Sequence, residues 1–146
     1  MTHFDGRLGC STISFRHQNL AQALATIAGL GFREIDLGAL PGVCDHVPYV
    51  LDEAAVDEVS TTVAASGLTV RSINGDIGDL NAPLDTDQQR ARVRHLNMLV
   101  ALASATGARA LVLPCGALAH EPVSTLDEDL DPVSYTHLTL PTKRIV

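Results

Sequence analysis

Three stretches of the chain share one layout, a glycine, a short apolar run and a closing glycine. They are GFREIDLG (residues 31–38), GLTVRSING (67–75) and GARALVLPCG (107–116). A helical pattern precedes each. Leu20, Leu24, Ile27 and Leu30 recur at three- and four-residue spacing, as do Val56, Val59 and Val63, then Val93, Leu96, Val100 and Ala103. That spacing predicts one apolar stripe per helix. The opening glycine of each run suits the position just past a helix end, where left-handed backbone carries no Cβ penalty. Asn19 and Asp52 are expected helix N-caps, and Asp85 with Gln88 has the spacing of a capping box. With LGCSTISF (8–15) as a first strand, strands and helices alternate up to a fourth strand. Strands joined by crossover helices make a parallel sheet.

Two parallel architectures fit that order. An open doubly wound sheet normally carries a glycine-rich turn after its first strand. Here the turn reads STISFRHQN, with neither GxGxxG nor GxxxxGK[ST]. A (β/α)8 barrel needs no such turn and builds its site from the loops after each strand. The long polar loops do follow strands: GALPGVCDHVPYVLD after the second and NGDIGDLNAPLDTD after the third. This asymmetry favours the barrel.

Composition narrows the partners. Acidic side chains outnumber basic ones, giving a net charge of −7. Nucleic-acid binding needs clustered Lys and Arg. The one basic cluster, Arg90, Arg92 and Arg94, reads as a solvated helix face. The cysteines are Cys10, Cys44 and Cys115, with no CxxC pair. An odd, scattered set fits a reduced, cytoplasmic protein. No apolar h-region opens the chain, and no apolar run approaches the ~18 residues of a membrane span.

In order and spacing, LGCSTISF, IAGLGFREIDLGAL, GLTVRSINGDIGDLNAPL and RVRHLNMLVALASATGARALVLPCG resemble the front half of the xylose isomerase-like TIM barrels. That group is the sugar phosphate isomerase/epimerase family. The resemblance covers residues 7–131. It implies the N-terminal half, about four βα units, of a (β/α)8 TIM barrel. It also implies a sugar or sugar phosphate substrate and proton movement beside a carbonyl. A divalent metal (Mn, Mg, Zn or Co) would be held by Glu, Asp and His side chains of strands five to eight, so catalytic residues and metal ligands are expected beyond residue 131. Endonuclease IV-type barrels share the superfamily, but the acidic charge disfavours a DNA substrate. A non-catalytic small-molecule-binding barrel or open α/β module is the alternative from another class.

The last residues, PVSYTHLTLPTKRIV (132–146), break the pattern. They hold the chain's one lysine, Lys143. They follow what reads as the first turn of a fourth helix, with Thr125 and Glu128 at capping-box spacing. VSYTHLTLPT resembles the conceptual translation of a transposase-type sequencing-library adapter, and the codons flanking that adapter accommodate the rest of the tail. The expectation is therefore a natural domain over 1–131, truncated within its barrel, and a non-native tail over 132–146. A half barrel of this kind is expected to be inactive and to associate.

Barrel sites form at the C-terminal ends of strands. Asp36 lies near the expected end of the second strand, as a site carboxylate or a rim ion pair. His46 lies in GVCDHVP, as a substrate or acid–base group or an exposed loop histidine. Asn74 and Asp76 close the third strand in INGD, as substrate contacts or turn formers. Cys115, His120 and Glu121 follow the fourth strand. Cys115 suits a buried thiol, and His120 with Glu121 offers two ligands without a third, which is not a metal site. His95 is expected on the polar side of its helix.

Overall fold

A computed structural model describes residues 7–78 and 83–113. Strand β1 (Cys10–Ser11) leads through a 3-10 turn (Thr12–Phe15) to helix α1 (Leu20–Gly29). Strand β2 (Glu34–Ala39), helix α2 (Glu53–Ser66), strand β3 (Thr69–Gly75), helix α3 (Thr86–Thr106) and strand β4 (Ala110–Val112) follow. The expected tail, Cys115, His120 and Glu121 lie outside the described residues.

The caps are those the sequence predicts. Asn19 Oδ1 accepts from Gln22 N at 2.9 Å and Asp52 Oδ1 from Ala55 N at 2.8 Å. Asp85 and Gln88 exchange both bonds of a capping box. Gly67 and Gly107 end α2 and α3 in left-handed backbone, at φ 71° and 69°.

The first strand is shorter than expected. Ser11 caps the 3-10 turn by accepting from Ile13 N at 3.4 Å. Thr12 Oγ1 accepts from Gly38 N at 2.9 Å, which pulls the chain over the end of β2. Side-chain bonding of this kind competes with a strand ladder.

The sheet is parallel throughout, in the order β1-β2-β3-β4. Among the described residues no reversal interrupts it, as a doubly wound sheet would require. Right-handed crossovers taken repeatedly in one direction put all the helices on one face. Accordingly α1 packs on α2 and α2 on α3. The core lies between helices and sheet. It joins Leu24 and Ile27 of α1, Val56, Val59 and Val63 of α2, and Leu99 and Leu102 of α3 to Ile35, Leu37, Val70 and Ile73 of the strands. Along β2, Ile35, Leu37 and Ala39 face the helices, so Glu34, Asp36 and Gly38 face the other side.

One stripe is rotated from expectation. Val93 and Val100 are about half exposed, while Leu99 and Leu102 are fully buried. The seam of α3 runs beside the predicted line, because α2 and the sheet both claim its inner side. Leu30, at the end of α1, is likewise exposed.

The glycines give a stability test at fixed protein concentration. Gly67→Ala forces an alanine into left-handed backbone and should cost about 1 kcal/mol in urea unfolding. Gly29 lies in a helical turn with open space where a Cβ would go. Gly29→Ala should therefore gain about 0.5–1 kcal/mol. Equal effects of the two would contradict the assigned helix ends.

Candidate functional site

The sheet face away from the helices carries the polar groups. Ser11, Asp36 and Ser72 are lateral neighbours on β1, β2 and β3. Asp36 Oδ2 accepts from Ser11 Oγ at 3.2 Å and Oδ1 from Ser72 Oγ at 2.7 Å. The alignment depends on a register shift between Ile35 and Asp36, where Ile35 pairs with Val70 and Asp36 with Ser72. Arg71 is the extra residue, and such a bulge re-aims the side chains that follow. Without it, Arg71 would stand opposite Asp36.

Asp36 is the third residue of a six-residue strand rather than near its end, because β2 continues to Ala39. Its carboxylate ties three strands together. One layer nearer the C-terminal ends lies Gly38. A Cβ there would come within 2.8 Å of Ile13 Cγ1 and 2.9 Å of Cys44 Sγ. Only glycine admits that approach, and the 3-10 turn and the β2–α2 loop fold down over this corner.

Asn74 shares the layer of Gly38 and Val112. It is half-buried on the inner face, beside Val112, which is 47% exposed. Asp76 follows just past β3, where its Oδ1 accepts from Gly78 N at 2.7 Å and shapes the turn. Asp76 also lines a cleft of about 450 Å³ with Pro41, Tyr49, Arg92, Arg94 and His95. His95 is half-buried there rather than solvated, its ring 6.4 Å from that of Tyr49. Arg90 remains on the solvent side and pairs with Asp87 at 3.3 Å.

His46 is not an exposed loop histidine, being 5% exposed. Its Nε2 lies 3.0 Å from the Gln18 carbonyl oxygen, which can only accept, so Nε2 carries the proton. Its Nδ1 lies 3.2 Å from Cys44 Sγ and can accept from that thiol. With both ring nitrogens engaged, His46 staples the β2–α2 loop to the start of α1. The structure therefore brings Asp36 and Asn74 onto one face, places Asp76 at its rim and keeps His46 apart.

At the N-terminal end of the same face, Glu34 pairs with Arg71 and, at 3.3 Å, with Arg109. Neither this cluster nor the two serines is evident from sequence spacing. Their signal is the lateral register, which the bulge displaces. Among the described residues, no three His, Cys, Asp or Glu side chains come together to hold a metal ion. Among them, too, no helix is long and apolar enough to cross a membrane.

No family model and no curated protein matches the sequence. Solved structures do match in fold. A 3-keto-D-glucoside 4-epimerase from E. coli superposes with a TM-score of 0.60 at 14% identity, over 89% of this chain and 48% of its own. A xylose isomerase domain-containing protein from Salmonella typhimurium gives 0.61 at 16%, over 93% and 46%. The chain has the fold of the front half of a xylose isomerase-like TIM barrel. A further barrel so described, from Mycobacterium smegmatis in complex with magnesium, gives 0.54 at 16%, over 90% and 51%. The chain thus spans about half the length of these structures.

Two measurements probe the site. Ser72→Ala leaves Asp36 one hydroxyl and should cost about 1–2 kcal/mol of stability. An unchanged urea midpoint would remove the strand-tying role. Burial pushes the Cys10 thiol above its ordinary range. That favours the folded state only while the thiol stays protonated, so the contribution is full below the unfolded thiol pKa and is lost as pH rises through the folded value. At pH 8, alkylation followed by peptide mass spectrometry should find Cys10 slower than in the unfolded chain, and Cys44, 1% exposed, protected. Fast labelling of both would contradict the packing.

Proposed function

We propose that this chain is the first half of a sugar or sugar phosphate isomerase or epimerase, one that moves a proton beside a carbonyl. The observation that carries the reading is the inner face, where Asp36 and Asn74 stand in successive layers of a xylose isomerase-like half barrel. Fold alone does not assign chemistry. Support comes from the named epimerase and the magnesium-bound barrel among the structures it superposes on. Asn74 offers both a donor and an acceptor to substrate hydroxyls, and Asp76 stands at the rim of the same strand. Asp36 and His46 are positioning residues in this reading. Asp36 sets the strands and His46 sets the loop.

The described residues do not by themselves fit a metal ion. Its ligands are proposed on strands encoded beyond residue 131, with residues 132–146 replacing the natural continuation. A divalent ion held there would polarise the substrate carbonyl. The small sugar substrate and a cytoplasmic setting belong to the same proposal.

The test uses the protein extended past residue 131 along its natural coding sequence. With Mn, Mg, Zn or Co in heavy water, aldoses, ketoses or their phosphates should take up deuterium at the carbon beside the carbonyl, read by proton NMR. The 146-residue chain should give none. Absence of exchange from the extended protein under every pairing would leave a non-catalytic binder, and exchange by the short chain alone would overturn the half-site reading.

A further inference from the structure

A chain of net charge −7 gathers three arginines, Arg90, Arg92 and Arg94, on one stretch of α3. The sequence reads them as one solvated face, and the structure divides them. Arg90 pairs with Asp87 on the solvent side. Arg92 and Arg94, with His95, line the cleft of about 450 Å³ that the loops after β2 and β3 also border. Arg92 and His95 are half-buried. Arg92 Nη2 reaches the turn after β3, 3.9 Å from where a Cβ on Gly78 would stand. Among the described residues, no ion pair holds Arg94.

The remaining lining has a different character. Leu51 and Ile77 give the cleft a buried apolar surface, and Tyr49 is its exposed aromatic ring. Asp76 lines it as well, with one carboxylate oxygen held by Gly78 N. Cations, an apolar surface with an aromatic ring, and one acceptor group therefore meet in a single cleft.

We propose that this cleft binds a phosphate monoester of a small hydroxylated molecule. Two guanidinium groups and an imidazole supply N–H donors to the phosphate oxygens, and such charge-assisted bonds are the strong ones. Two fixed cations match a dianion better than a single carboxylate. Asp76 accepts from ligand hydroxyls and repels a second anionic group, so it sets which end of the ligand meets the arginines. The Tyr49 ring covers the apolar side of the ligand body. A nucleic-acid strand fits less well, since successive phosphates need a continued row of cations and this cleft also carries Asp76. The monoester is the substrate itself only under the isomerase reading above, whereas its binding does not depend on that reading.

Amide NMR titrations of the 146-residue chain with glucose 6-phosphate, inorganic phosphate and glucose test it. Glucose 6-phosphate should saturate one site and shift the amides of Ile77, Gly78, Arg94 and His95. Inorganic phosphate should shift the same α3 amides, and glucose should bind about tenfold more weakly than its phosphate, or weaker still. Arg92→Gln and Arg94→Gln should each weaken glucose 6-phosphate by about tenfold or more, and the pair keeps the test open if one variant fails to fold. Arg90→Gln removes the same charge from the same helix outside the cleft and should leave the dissociation constant unchanged. No saturable shift with either phosphate, glucose bound as tightly as its phosphate, or equal weakening by Arg90→Gln would overturn the site. So would tighter binding of a short single-stranded oligonucleotide. Phosphate binding here without deuterium exchange by the extended protein would keep this site and remove the isomerase reading, and exchange without phosphate binding would do the reverse.

Discussion

Every crossover among the described residues advances the sheet in the same direction, and the rest of the described structure depends on that. Right-handed connections that never reverse stack α1, α2 and α3 on one face. That face takes the apolar side chains of the strands, Ile35, Leu37, Val70 and Ile73 among them. The opposite face is left to residues of the other parity. Where a doubly wound sheet would cover that face with helices, this one turns it toward a lumen. Polar side chains can stand there only if they are bonded to each other or meet water. Asp36 between two serines, and Glu34 beside two arginines, are the form that takes.

Much of this was legible in the sequence, and the legible parts share a cause. Helix starts at Asn19, Asp52 and Asp85, and helix ends at Gly67 and Gly107, are local events. A side chain or a missing Cβ settles each within a few residues. The Val56, Val59 and Val63 stripe is local too. What failed needed neighbours distant in the chain. β1 stops at Ser11 because Thr12 bonds Gly38, a partner from the next strand. The α3 seam misses Val93 and Val100 because two surfaces compete for that helix. The Ser11–Asp36–Ser72 row requires a bulge that places Arg71 out of step, which no periodicity in β3 announces.

The candidate residues divide along the same line. His46 sits in a loop that reads as exposed, but the close approach at Gly38 draws the loop inward and seals the ring between Cys44 and Gln18. Asp36 reads as a strand-end carboxylate, yet the strand runs on past it. Asn74 keeps the position expected of it, since the end of β3 is marked by Gly75. The inner face thus holds a built scaffold with one amide close to its mouth.

The central claim is the one-way order of the strands. Cross-strand NMR contacts between backbone amides and α-protons test it directly. The account predicts contacts between Cys10 and Ile35, between Asp36 and Ser72, and between Ser72 and Ala110, each in parallel register. Contacts that place β1 beside β3, or any antiparallel pairing among the four strands, would contradict it.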